Sequence, residues 1–261
     1  MEWIENLEHK IANLTQKIQL NPNDYYAYTN RGLAYNNLKQ YERAIQDLNK
    51  AIELNPNYDF AYINRGLSYH YLGQDERAIQ DFDKAIQINP NYDYAYINRG
   101  LSYHYLGQDE KAIQDFDKTI QINPNYDYAY NNRGLAYQGL GQYEKAIQDF
   151  NKAIQLSPNY DKAYNNRGEA YLNLKLYKLA IEDFSKAIEL NPNDADAYYN
   201  RSRAYANLEK YSRAYSRAIE DLNKYIELLP EDAKGYYLRG KYCKELAQAD
   251  FDRAKELGYE E

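Results

Sequence analysis

Hydrophobic and polar positions follow a helical period along most of this chain. In residues 75–88 the apolar side chains fall at spacings that place them on one face of an α-helix. They are Ala78, Ile79, Phe82, Ala85 and Ile86. Residues 59–72 carry a similar stripe, made of Ala61, Tyr62, Gly66, Tyr69 and Leu72. The pattern predicts a first and a second amphipathic helix joined by a short turn at Gly73-Gln74.

This pair of helices recurs with a fixed period. Asn-Arg-Gly begins at residues 30, 64, 98, 132 and 166, always 34 residues apart, and a sixth copy reads Asn200-Arg201-Ser202. A proline recurs with the same period from Pro22 to Pro192. Because the residue before a proline avoids the helical region, each proline ends the helix before it. Two such helices cannot bury their stripes alone, so the period indicates a stack of repeats.

The order of residues within one period resembles the tetratricopeptide repeat. That pattern has an aromatic residue, Gly and Tyr in its first helix, then Ala, Phe, Ala and Pro. In residues 59–92 these slots hold Tyr62, Gly66, Tyr69, Ala78, Phe82, Ala85 and Pro90. The resemblance covers residues 25–232, and the Asn-Arg-Gly variety resembles prokaryotic scaffolds of this family. It implies an all-α fold, a right-handed solenoid (superhelix) of helix–turn–helix repeats.

The repeat boundaries predict three regions. Residues 1–24 are expected to form an N-terminal capping helix, and residues 233–261 a degenerate seventh repeat with a C-terminal capping helix. The six repeats between them are 25–58, 59–92, 93–126, 127–160, 161–194 and 195–232. Tyr-Ser-Arg-Ala occurs twice in the last of these, at 211–214 and 215–218. Four extra residues are about one helical turn, so we expect a longer second helix there, with added positive charge from Arg213 and Arg217.

Composition narrows the partner classes. The 261 residues include 33 tyrosines and carry a net charge of −7. An acidic chain is a poor ligand for polyanions, which leaves an RNA-binding helical repeat as the least favoured reading. The single cysteine, Cys243, excludes an internal disulfide and fits a reducing compartment. No stretch approaches 18 apolar residues and Met1–Leu20 does not resemble a signal peptide, so we expect a cytoplasmic protein without membrane contact.

The sequence carries no pattern typical of an enzyme. His70 and His104 occupy one slot in two nearly identical repeats, and imidazoles one repeat apart lie roughly 10 Å from each other. They are therefore too far apart to bind one metal ion. No nucleophile–base motif and no phosphate-binding loop appears. We predict no enzymatic activity, no cofactor and no metal site.

A repeated arginine departs from the family pattern. It takes the slot before glycine, which is usually leucine, in all six repeats, and an aspartate follows sixteen residues later, or twenty in the sixth repeat. Since a guanidinium pairs with a carboxylate through two hydrogen bonds, we predict a ladder of Arg–Asp pairs. Capture of an external anion is the alternative. The pairs are Arg31–Asp47, Arg65–Asp81, Arg99–Asp115, Arg133–Asp149, Arg167–Asp183 and Arg201–Asp221.

A second stripe on the first helices predicts the binding site. These slots lie outside the packing stripes, and the resemblance implies that they line a concave peptide-binding groove. The candidate residues are Tyr26, Phe60, Ile63, Leu67, His70, Tyr71, Tyr94, Ile97, Leu101, His104, Tyr105, Tyr128, Asn131, Leu135, Lys162 and Arg203. Sideways packing of these side chains on neighbouring first helices, with no free site, is the alternative.

These observations favour a protein–protein interaction scaffold that binds a peptide or helical segment of another protein. The segment is expected to be apolar or aromatic at its centre, with a possible acidic flank facing Lys162 and Arg203. The resemblance implies that relatives binding chaperone tails have Lys and Asn in the first-helix groove. Here those slots hold Thr29 and Leu33 in one repeat and Ile63 and Leu67 in the next, which argues against that partner. A self-assembling structural repeat protein, a homo-oligomer, is the main alternative.

Overall fold

The computed structural model describes residues 2–208 and 212–257 of the chain. These ranges are helical and contain no β-strand. The helices are α1 (Glu2–Leu20), α2 (Tyr25–Asn37), α3 (Tyr41–Leu54), α4 (Asp59–Tyr71), α5 (Asp75–Ile88), α6 (Asp93–Tyr105), α7 (Asp109–Ile122), α8 (Asp127–Gly139), α9 (Tyr143–Leu156), α10 (Asp161–Asn173), α11 (Tyr177–Leu190), α12 (Ala195–Leu208), α13 (Ser212–Leu228) and α14 (Ala233–Glu256). None of them is both long and apolar enough to cross a membrane.

The chain forms two compact units, one ending at Asn125 and one beginning at Tyr126. In the first unit each helix packs on the next, and the first helices α2, α4 and α6 also contact one another in sequence. The second unit repeats this arrangement with the first helices α8, α10 and α12. Each unit is therefore an α-solenoid of helix pairs, and the predicted all-α fold is confirmed.

In repeats two to five the core of the helix pair is a phenylalanine ring set against a glycine, and in the first repeat Leu48 takes the place of the ring against Gly32. Phe116 of α7 is completely buried, and a Cβ atom added to Gly100 of α6 would lie 2.6 Å from its ring. Phe82 and Phe150 meet Gly66 and Gly134 in the same way. Glycine in mid-helix costs about 1 kcal/mol relative to alanine, and the close packing of the ring offsets that cost.

The predicted Arg–Asp ladder is present. Nε and Nη2 of Arg65 donate to the two carboxylate oxygens of Asp81 at 2.8 and 2.6 Å. The same two-bond pair recurs in the other five repeats, and the six aspartates are only 4–6% exposed. The arginines therefore stabilise the packing of the repeat, because their guanidinium groups already bind a carboxylate of the same chain.

Within each unit the ladder also joins a repeat to the one before it. Nη1 of Arg65 donates to Asn49 of α3 at 2.6 Å, and Nη1 of Arg99 donates to Asp83 of α5 at 2.5 Å. One guanidinium thus connects its own first helix with two second helices. The ring of Tyr62, one turn earlier, lies 5.6 Å from the guanidinium carbon of Arg65. This stacking gives one reason for the high tyrosine content.

The N-terminal helix α1 packs on α2 as a second helix packs on the following repeat. Leu14 and Ile18 are buried against Ala27. The hydroxyl of Thr15 accepts a hydrogen bond from Nη1 of Arg31 at 3.0 Å, in the role that Asn49 has one repeat later. The helix therefore covers the side of α2 that would otherwise be open.

The C-terminal part differs in two ways from a regular repeat. Helix α13 has 17 residues against 14 in α11, so the inserted residues lengthen the helix as predicted. Residues 209–211 and the side chain of Arg213 lie outside the described part of the chain; Arg217 stacks over Tyr205 at 5.6 Å. The predicted seventh repeat and capping helix form one continuous helix, α14, of 24 residues.

Replacing Arg99 by alanine tests the ladder. The change leaves the buried carboxylate of Asp115 without its two donors, so we expect the free energy of unfolding to fall by about 3 kcal/mol or more. Urea denaturation followed by circular dichroism measures it. Lys118→Ala is the matched control, because the Lys118 ammonium only reaches the exposed Gln121 side chain. Its effect should stay within about 0.5 kcal/mol.

The loss in Arg99→Ala should depend on pH. Burial raises the pKa of Asp115, and the hydrogen bonds from Arg99 oppose this. Without Arg99 the pKa of Asp115 in the folded protein rises further above its value in the unfolded protein. The loss of stability caused by the variant therefore grows as the pH rises from the unfolded-state pKa to the folded-state pKa, and it disappears at pH values below both. The difference between variant and wild type should be smaller at about pH 4 than at about pH 7. A difference that grows at low pH would contradict this account.

Candidate binding groove

The first helices of the first unit form a groove of about 530 Å³. Phe60, Leu67, Tyr71 and Tyr94 belong to the predicted stripe and line it. The remaining lining residues are Leu33, Asn36, Asn37, Lys39, Tyr41 and Asn64. The groove therefore combines an apolar and aromatic wall with a few amide groups, as expected for a site that binds a peptide or helix.

Ring contacts hold the exposed aromatic side chains of this unit in place. Tyr71 is 61% exposed, yet its ring stacks on Tyr41 with centroids 5.3 Å apart and planes 17° from parallel. Tyr26 is also exposed and meets Tyr58 edge to face at 5.2 Å. Burial raises the pKa of the Tyr94 hydroxyl above its ordinary value. Such fixed rings lose little conformational freedom when a partner binds.

Three predicted groove residues are buried, which corrects the sequence-based expectation. Ile63, Ile97 and Asn131 are 0%, 1% and 3% exposed. Ile63 lies in a core cluster with Ala85 of α5 and Ala95 of α6, the neighbouring first helix. At this slot the alternative of sideways packing is right, because the side chain points between adjacent first helices. Ile63 and Ile97 pack beneath the exposed surface of the first helices and cannot contact a partner, whereas Asn131 is buried but borders a groove of the second unit.

The two histidines of the stripe are paired with carboxylates. Nδ1 of His70 and Oδ1 of Asp75 are 2.6 Å apart, and His104 and Asp109 form the same bond in the next repeat. Asp75 and Asp109 are buried and begin the second helices α5 and α7. The pairs therefore connect the end of α4 to the start of α5 and the end of α6 to the start of α7. Among the described residues no group of three or more His, Cys, Asp or Glu could hold a metal ion.

The other candidates of the first unit lie outside the 530 Å³ groove. Tyr105 is strongly exposed and its ring lies edge-on to His70, with centroids 5.1 Å apart. Leu101 is half-buried. These side chains extend the apolar surface of the first helices beyond the groove itself.

The second unit has a groove of about 500 Å³ with a different lining. Of the predicted residues, Tyr128, Asn131, Leu135 and Lys162 border it, whereas Arg203 does not. Arg203 instead stacks over Tyr199 at 5.8 Å and donates to Asn200 at 3.3 Å. The groove is dominated by amides that the sequence analysis missed, namely Asn132, Asn165, Asn166, Asn191 and Asn193. The sequence does contain a sign of this lining: repeats four and five have two asparagines, in Tyr-Asn-Asn-Arg-Gly, where repeats two and three have Ile-Asn.

Charge in this groove differs from the expectation. Asp161, Asp194 and Asp196 face a single cation, Lys162. Burial raises the pKa of Asp194, and the neighbouring carboxylates add to this effect. Oδ2 of Asp161 accepts a hydrogen bond from Asn191 at 3.0 Å. The expected preference for an acidic flank beside Lys162 therefore does not match the lining.

One buried acceptor in this groove has no hydrogen-bond partner in the described part of the chain. It is Oδ1 of Asn165, a lining residue. In contrast, Oδ1 of Asn131 accepts a bond from Asn166 at 3.0 Å. A buried carbonyl oxygen without a donor is unfavourable by about 1–3 kcal/mol.

Family models match the chain through both units. The tetratricopeptide repeat model matches residues 25–58, 60–92, 128–160 and 161–194, more than half of the chain. The chain belongs to the tetratricopeptide repeat family. Two further models of this repeat match residues 82–114, 184–215 and 100–141. This family forms non-catalytic scaffolds for protein interactions, so the coarse class of function follows from membership.

Solved structures show the same fold. A chain of the APC/C hetero-tetramer Cut9–Hcn1 is similar over 90% of this chain and 46% of its own length, with a TM-score of 0.77 and 18% identity. MamA of Desulfovibrio magneticus RS-1 is 26% identical, with a TM-score of 0.60 over 65% of this chain and 96% of its own. YrrB, a TPR protein with an unusual peptide-binding site, is 24% identical over 70% of this chain and 95% of its own, with a TM-score of 0.58. A comparison with curated proteins found no match.

Replacing His104 by alanine tests the structural role of the histidines. The change removes the partner of the buried Asp109 carboxylate, so we expect a loss of about 1–3 kcal/mol in the free energy of unfolding. His9→Ala is the control, because His9 is exposed and bonds only to the carbonyl of Glu5. Thermal or urea denaturation compares the two. Equal stability of both variants would show that the His104–Asp109 bond contributes nothing to the fold.

Proposed function

We propose that this protein binds a segment of another protein along the first-helix faces of its repeats. The observation that carries the proposal is the 530 Å³ groove of the first unit, where exposed tyrosines are held by ring contacts. Exposed apolar surface of this kind is typical of interaction sites, and a few aromatic anchors supply most of the binding energy. The partner segment should therefore present apolar or aromatic side chains to this groove.

We infer a different role for the groove of the second unit. Side-chain amides can donate to and accept from a peptide main chain, and several asparagines line this groove. The excess of Asp over Lys favours a segment that is polar or basic rather than acidic. An extended peptide exposes N–H and C=O groups that can pair with the amide side chains of this lining.

The double variant Tyr71→Ala, Tyr94→Ala tests the first groove. Peptides are selected from a displayed random library on the immobilised wild-type protein, and their dissociation constants are measured by calorimetry. We expect the double variant to bind them at least about tenfold more weakly, which corresponds to about 1.4 kcal/mol. Leu20→Ala is the matched control, because Leu20 is 81% exposed and lines no part of the groove.

Two results would overturn this groove as the site. One is a library that yields no binder. The other is a set of peptides whose affinity is unchanged in the double variant although circular dichroism shows its helicity intact.

Replacing Asn165 by leucine tests the second groove. Leucine has a similar shape but no acceptor, so removal of an unsatisfied carbonyl should leave the free energy of unfolding unchanged or raise it slightly. Peptides that bind the second unit should bind the variant about tenfold more weakly, since the lining then loses one of its amide groups. Unchanged affinity for every selected peptide would contradict the role of Asn165.

A further inference from the structure

The last helix, α14, contains both halves of a repeat without the turn between them. Its first half carries Tyr236, Arg239 and Gly240 in the slots of Tyr62, Arg65 and Gly66. Its second half carries Ala247, Asp250, Phe251 and Ala254 in the slots of Ala78, Asp81, Phe82 and Ala85. Arginine and aspartate are sixteen residues apart in a regular repeat but eleven apart here. The five missing residues are those that form the turn.

The missing turn explains why α14 is continuous. In repeats two to four the turn contains a glycine in the left-handed region, such as Gly73 at φ 69°. Around the corresponding junction α14 has Lys244, Glu245 and Leu246, which favour helix. The two halves therefore join end to end, and they cannot fold against each other as the helices of a repeat do.

As a result, contacts made in every complete repeat are absent at α14. A Cβ atom added to Gly240 would meet nothing within 4 Å, whereas at Gly168 it would lie 2.7 Å from a phenylalanine ring. Phe251 is 58% exposed. Among the described residues, neither Arg239 nor Asp250 forms an ion pair. Arg239 donates to Asn223 of the preceding helix at 2.8 Å, and its guanidinium lies 5.5 Å from the ring centre of Tyr236.

Both sets of unpaired groups lie on one face of α14. Eleven residues make about three helical turns, so Arg239 aligns with Asp250 and Gly240 aligns with Phe251. Another face of the helix is buried on α13 through Leu238 and Tyr242. One face is thus covered by the chain itself, and the face with the halves of the repeat is open.

We propose that α14 pairs with the α14 helix of a second copy of this chain, in antiparallel orientation, so that each copy completes the other's seventh repeat. The ring of Phe251 would cover Gly240 of the second copy, and Asp250 would pair with Arg239 of the second copy. The residues of each contact lie at nearly equal distances on either side of residue 245. A two-fold axis that passes near residue 245 therefore relates the two copies, and each contact occurs twice in the dimer. The interface is therefore complementary to itself in shape and in charge.

The opposite end of the chain does not offer the same fit. Alignment of Thr15 with Asn49 places Lys10 and Lys17 of α1 in slots that hold the buried Ala44 and Ala51 one repeat later. A first helix that packed on this face of α1 would have to bury two lysines, which is strongly unfavourable. Head-to-tail stacking through α1 is therefore excluded on charge, and the pairing of two α14 helices is favoured. The proposal goes beyond peptide binding and is independent of it.

The variant Gly240→Leu separates assembly from folding. Its side chain enters open space in a single chain, so helicity and unfolding should be unaffected, but it fills the slot that Phe251 of the second copy needs. Sedimentation equilibrium of the wild type over a range of concentrations should show a species of twice the 30.8 kDa chain mass. The dimer dissociation constant should rise about tenfold or more in the variant. Lys234→Ala is the control and should not change it, because Lys234 is exposed and lies about 120° around the helix from Gly240.

A charge exchange tests the symmetry of the interface. Arg239→Asp alone opposes two carboxylates, and Asp250→Arg alone opposes two guanidinium groups, so each single variant should dimerise more weakly. In the variant that combines both substitutions, the aspartate at position 239 can pair with the arginine at position 250 of the second copy, so the dimer should be recovered. Residues 239 and 250 are three turns apart in one chain, so the recovery requires a second copy.

Restoring the turn tests the origin of the interface. Insertion of His-Tyr-Leu-Gly-Gln, the sequence of residues 104–108, after Cys243 returns the spacing of Arg239 and Asp250 to sixteen. The seventh repeat can then close within one chain, and we expect a monomer with a higher melting temperature. A wild type of 30.8 kDa at every concentration would overturn the proposal. A dimer that persists in the Gly240→Leu variant would also overturn it. If that dimer were lost only in the Tyr71→Ala, Tyr94→Ala variant, the chains would associate through the groove and not through α14.

Discussion

The pairing of a buried aspartate with a repeated arginine is the interaction on which each repeat depends. Two hydrogen bonds of 2.6–2.8 Å set the register of the first helix against its second helix, as in Arg65 and Asp81. A third bond, from Arg65 to Asn49, sets the register against the preceding second helix. Because a buried carboxylate is strongly unfavourable without its donors, no sliding of these helices is tolerated. The period of 34 residues in the sequence is thus maintained by a polar contact as well as by apolar packing.

This polar contact shapes the rest of the packing. The helices of a pair approach closely enough that only glycine fits beside the phenylalanine ring, as at Gly100 and Phe116. Alanine fills most of the other buried slots, and most of the tyrosine rings lie at the margins of the core. Tyrosine suits such margins because its ring is buried in part while its hydroxyl reaches water or a main-chain oxygen. The half-buried rings on the first helices then form the groove walls of each unit.

Differences between the two units arise from small changes on this common frame. The slot of the buried Ile63 and Ile97 holds Asn131 and Asn165 in later repeats, and both asparagines border the amide-rich groove of the second unit. At the C-terminal end the loss of five residues leaves the slots of a repeat intact but joins its helices into α14. The same residues that close a repeat internally are there presented on the surface. A repeat protein can therefore acquire new surfaces by substitution or by deletion without disturbing its neighbours, since each repeat contacts only the adjacent ones.

The sequence by itself determined the helical class, the period, the helix ends near each Asn-Pro step and the Arg–Asp pairs. These follow from local rules, namely helical periodicity, the restriction before proline and the fixed spacing of complementary charges. Only the tertiary structure decided which stripe residues are exposed. Ile63 and Tyr71 lie on the same helix and both seemed surplus to the packing of one pair, but the neighbouring first helix covers Ile63 and leaves Tyr71 exposed. Burial at such slots depends on the angle between successive repeats, which arises from contacts between helices 34 residues apart and is not encoded in the spacing along one helix.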